Sequence, residues 1–101
     1  KMEEQLFNLI GQSISKRPLS AMFGVPCFTR GRKPYLLLYE KQLVCKLIGE
    51  AKRAALQLEG ASLFQPKKNR RAMGNWIQIP YEHSEKWDYF ANLAFQFICS
   101  E

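Results

Sequence analysis

At 101 residues, 47% of them hydrophobic, the chain is sized for one domain spanning 1–101, able to bury roughly two-thirds of the surface its unfolded form exposes; a second domain is excluded within this length. No run approaches the roughly 18 apolar residues of a membrane span, so a soluble protein without a membrane partner is expected. The net charge of +6 points toward anionic partners, and the three scattered cysteines, Cys27, Cys45 and Cys99, read as buried free thiols of a cytoplasmic protein.

In chain order, Met2, Leu6, Leu9, Ile10 and Ile14 recur at helical spacing and predict a first amphipathic helix with these residues inward. Glu3 and Glu4 suit its first turn, Gly11 weakens it, and Pro18 stops it beyond Arg17. A linker from Ser15 to Ser20 leads to an apolar strand, 21–28, in which Gly24 and Pro26 imply a bulge, an edge position or a close backbone contact. Gly31 suits the positive φ of a hairpin turn within Thr29 to Lys33. The partner strand, Tyr35 to Tyr39, is apolar without alternation, as in a strand covered on both faces or central in its sheet.

A turn at Glu40-Lys41 precedes a third strand, Gln42 to Leu47, with Leu43, Cys45 and Leu47 inward and the other face partly wet. Ala51, Ala54, Ala55 and Leu58 outline a second helix closed by Gly60. Ser62 to Gln65 is a weak strand stopped by Pro66, the basic run Lys67 to Arg71 reads as a loop, and Asn75 to Ile79 alternates as a strand. Ser84 then offers an N-cap to a principal core helix presenting Trp87, Phe90, Ala91, Ala94, Phe95 and Ile98. The order α-β-β-β-α-β-β-α predicts a two-layer α+β domain: an antiparallel sheet of about five strands with helices packed on one face.

The charge is unevenly placed. No acid occurs from Gln5 to Tyr39 or from Gly60 to Tyr81, and those windows carry nine of the fifteen basic residues: Lys16, Arg17, Arg30, Arg32, Lys33, Lys67, Lys68, Arg70 and Arg71. Two clusters, Arg30-Arg32-Lys33 and Lys67-Lys68-Arg70-Arg71, are therefore candidate contacts for nucleic acid or another polyanion, with Tyr35 or Trp76 as stacking platforms. The patch is continuous only if both loops occupy one end of the sheet. The chain carries no carboxylate pair, phosphate-cradling glycine loop or metal-ligand spacing, so no enzyme activity, cofactor or metal is expected. A nucleophilic Cys27 paired with His83 ranks last, because an apolar strand disfavours the thiolate.

From about Ser20 to Ile98 the chain resembles the N-terminal domain of the TfoX/Sxy family of bacterial competence regulators. The resemblance rests on Met22-Phe23-Gly24-Val25-Pro26-Cys27, Gly31, Leu43-Val44-Cys45-Lys46-Leu47, Gly60, Phe64, Met73 and Trp76-Ile77-Gln78-Ile79-Pro80. Val25-Pro26-Cys27 replaces the Gly-rich continuation of many members, making the chain more similar to stand-alone members. The resemblance implies a fold like that of secretion chaperones, structural roles for Met22, Phe23, Gly24, Pro26, Gly31 and Trp76, and a non-enzymatic regulatory or interaction domain acting through protein contacts. Nucleic-acid binding through the two basic loops is the alternative.

Overall fold

The computed structural model describes residues 2–22, 24–65 and 73–100. Its elements are α1 (Met2–Ser15), β1 (Ser20–Met22), β2 (Val25–Arg30), β3 (Lys33–Tyr39), β4 (Gln42–Lys46), α2 (Gly49–Leu56), β5 (Ser62–Phe64), β6 (Met73–Ile79), a 3-10 segment (Tyr81–Lys86) and α3 (Trp87–Cys99). The strands form one sheet in the order β1-β2-β3-β4-β6-β5, with every neighbouring pair antiparallel. The helices pack on one face, giving a two-layer α+β domain.

The sheet has six strands rather than about five, because the apolar stretch 21–28 is two strands. Met22 pairs with Val25 across a connection that contains Gly24 at φ 76°, a left-handed conformation that suits glycine. Pro26 sits in β2 opposite Ala21, and the register shift falls at Phe28/Thr29 rather than at Gly24. Leu36, Leu37 and Leu38 of β3 are all buried, as a strand covered on both faces requires. In β4, Val44 is buried together with Leu43 and Cys45, so the expected wet face holds a second apolar cluster: Cys27, Leu37, Val44, Phe64 and Trp76. Beside it, Gln78 Nε2 donates to Gln42 Oε1 at 2.7 Å.

The first helix is turned relative to its sequence reading. Phe7, Ile10 and Gly11 are buried, whereas Met2 and Leu9 are exposed. A Cβ on Gly11 would collide with the Phe28 ring, so this glycine lets α1 approach β2 closely; that contact outweighs its poor helix propensity. Phe7 meets the Phe28 ring at 5.2 Å, consistent with the same close approach.

The second helix also shifts, ending at Leu56 with only Ala55 fully buried and Ala54 exposed. Gly60 lies in the following turn at φ 85°, beside Pro80. Ser84 does not cap α3: it lies inside the 3-10 segment, and α3 starts at Trp87 after Lys86 without a side-chain cap. The inward face of α3 follows the expected spacing. Trp87, Phe90, Ala91, Ala94 and Ile98 are buried, and the half-buried Phe95 meets the Tyr35 ring at 5.2 Å. Among the described residues no helix is long and apolar enough to cross a membrane.

Candidate polyanion-binding end of the sheet

Alternating strand directions decide which loops share an end. β2 runs toward the Gly31-Arg32 turn and β3 runs away from it; β4 runs toward that end, β6 away, and β5 toward it again. The β2–β3 hairpin, the end of β4, the end of β5 and the start of β6 therefore lie at the same end; the β2/β3 and β6/β5 strand pairs are centred three strand positions apart, about 14 Å at ordinary sheet spacing. Lys67, Lys68, Arg70 and Arg71 lie outside the described residues.

Arg30, Arg32 and Lys33 are exposed around this hairpin, with Arg30 paired to Lys33 and Gly31 at φ 63° in the turn. Two further cationic groups join them. Lys46 ends β4, between the two strand pairs, and its Nζ stands 5.9 Å from the centre of the Phe97 ring. Lys16 and Arg17 are exposed where the chain enters β1 from the hairpin side; with Gln12 and Pro18 they line a shallow recess of about 370 Å³. Among the described residues, Glu50 places a carboxylate in the first turn of α2 at this end, followed by Lys52 and Arg53.

The anticipated stacking platforms are not available. Tyr35 is fully buried and Trp76 is 8% exposed, because both side chains fill the core clusters. The Tyr35 hydroxyl is buried without a hydrogen-bond partner, and burial raises its pKa above the ordinary value. Ser15 opposes that shift, although its geometry falls short of a hydrogen bond to Tyr35; its own hydroxyl donates to the Gly11 carbonyl at 2.8 Å.

Behind the cationic rim, on the helix side, an open groove of about 440 Å³ lies between the start of α2 and the end of α3. Its walls are mainly apolar: Leu47, Ile48 and Ala51 on one side, Leu93 and Phe97 on the other. Sequence reasoning missed it, although Leu93 and Phe97 form an i, i+4 pair outside the inward stripe of α3.

The thiols occupy separate environments. Cys27 and Cys45 are buried on opposite faces of the sheet, and Cys99 is exposed, contrary to the expectation of three buried thiols. Burial raises the pKa of both internal thiols, with Ser20 partly offsetting the shift at Cys27. The His83 ring is engaged with the Glu59 carbonyl at 2.7 Å, and its segment follows β6, which β3 and β4 separate from Cys27 on β2. The Cys/His pairing considered from sequence does not form. Among the described residues no group of three His, Cys, Asp or Glu side chains could hold a metal ion.

Compared with family models, curated proteins and solved structures, the chain matches none.

Proposed function

We propose that the protein is a non-enzymatic binding module whose contact surface is the basic end of the sheet and whose partner is nucleic acid. One observation carries this reading: the strand directions bring the β2–β3 hairpin with Arg30, Arg32 and Lys33, the end of β4 with Lys46, and the entry to β1 after Lys16 and Arg17 to one end. An isolated exposed cation contributes little, but a polyanion engaging several at once releases condensed counterions. With about five phosphates engaged, log affinity for duplex DNA falls with log salt at a slope near −4 to −5. Titration of labelled DNA and RNA across salt tests this. A slope of that size, reduced in an Arg30→Ser, Arg32→Ser, Lys33→Ser variant, supports it; no binding at low salt, or equal binding by the variant, overturns it.

A protein partner is the second reading. It is favoured by Met2 and Leu9, 68% and 69% exposed and two helical turns apart on the same side of α1. In that reading the TfoX/Sxy resemblance supplies the class, a stand-alone regulatory domain with a secretion-chaperone-like fold acting in the cytoplasm. The resemblance rests on the sequence motif alone.

A further inference from the structure

We infer that the nucleic acid held at this end is single-stranded, with one unpaired base lodged in the groove between α2 and α3; this rests on the polyanion reading above. A site built only for phosphates needs exposed cations and backbone donors. Here Lys46 adjoins a groove walled by Leu47, Ile48, Ala51, Leu93 and Phe97. Its volume of about 440 Å³ falls in the lower range of small-ligand clefts.

The combination selects among polyanions. A sugar-phosphate chain alone has little apolar surface to bury there, and a duplex keeps the faces of its bases inside the stack. An unpaired nucleotide carries a flat apolar face and a phosphate on one unit, the arrangement that single-strand sites engage with aromatic side chains and a cationic track. Lys46 supplies the junction, because its ammonium stands over the Phe97 ring and its strand, β4, adjoins β3 of the basic hairpin. Gln96 and Ser100, also on the groove, provide polar atoms for a base edge. The carboxylate of Glu50 is outnumbered locally by Lys46, Lys52 and Arg53. Tyr35 and Trp76 are buried, leaving Phe97 as the aromatic wall.

The test compares three probes of equal length by fluorescence anisotropy at one salt concentration: a single strand, its duplex, and an abasic sugar-phosphate strand. The single strand is expected to bind about five- to a hundredfold more tightly than the abasic strand, the range for one stacked base. Ala51→Phe fills the groove and is expected to erase this preference while leaving affinity for the abasic strand unchanged, with a thermal melt confirming folding. The comparison of probes needs no variant and stands if Ala51→Phe does not fold. Equal binding of all three probes, or a preference that survives in folded Ala51→Phe, overturns the groove inference and leaves the basic end intact. Binding of none of the probes at low salt overturns both.

Discussion

The two ends of the sheet are built on different principles. At the end holding the β3–β4 turn, aromatic burial and hydrogen bonds tie the segments together. Trp87 is fully buried, its Nε1 donates to the Pro80 carbonyl at 3.2 Å, Tyr81 meets its ring at 5.5 Å, and His83 engages the Glu59 carbonyl. At the other end, Arg30, Arg32 and Lys33 are exposed around the β2–β3 hairpin, and an open groove lies between α2 and α3. Burial contributes stability in proportion to apolar area removed from water, whereas surface cations contribute little to the fold. The contrast separates an anchored end from a cationic one, to which the proposed contact belongs.

The strongest challenge to this division is Trp87→Ala. Removing a fully buried indole is expected to cost about 3–5 kcal/mol, read as a lowered denaturation midpoint. An unchanged midpoint would show that the anchored end is not where stability resides.

Replacing Arg30, Arg32 and Lys33 by serine is the converse experiment. The denaturation midpoint should stay within about 0.5 kcal/mol of the parent, as for ordinary surface positions. Loss of three phosphate contacts should flatten the salt slope by about 2.7. Lys41→Ser, at the anchored end, serves as the control and should leave that slope unaltered. If Lys41→Ser flattens it equally, nucleic acid is held by diffuse charge and the ends are not distinct in binding.

A smaller effect is expected at the β3–β4 turn, where Glu40 and Lys41 have φ of 51° and 65°. Two central residues with positive φ correspond to the hairpin geometry favoured by Asn-Gly, and a non-glycine side chain is strained there. Glu40→Asn with Lys41→Gly should therefore stabilise the protein by about 1 kcal/mol. Thermal denaturation would reveal this as a rise of roughly 4–8 °C. A fall would mean that the native side chains contribute more than the backbone strain costs.

The smallest effects concern the thiols. In the folded protein Cys99 should react with a maleimide while Cys27 and Cys45 remain protected; mass measurement should find one adduct before unfolding and three after. Both protected thiols have pKa values raised by burial above the ordinary 9.0. The native state therefore retains protons that the unfolded chain gives up. Their stabilising contribution is complete below about 9 and declines as pH rises through the folded values, so the denaturation midpoint should fall in that alkaline window. A midpoint that rises there would reverse the assigned direction.

Local pattern determined a good part of this protein. The spacing from Trp87 to Ile98 specified the inward face of α3, because a helix repeats its geometry every few residues. The unbroken apolar run of β3 foretold burial on both faces, and Gly31 marked a hairpin turn through a backbone conformation that needs no distant partner. The two basic clusters were equally plain in composition. Tertiary structure alone decided that β6 lies between β4 and β5, that the basic hairpin, Lys46 and the entry to β1 share one end, and that Leu93 and Phe97 wall a groove. It also exchanged Leu9 for Phe7 on the buried side of α1 and gave Gly11 its role against Phe28. The physical reason is shared: periodicity and turn chemistry act over a few neighbouring residues, whereas strand order, helix rotation and grooves are set by surfaces far apart in the chain competing to be buried.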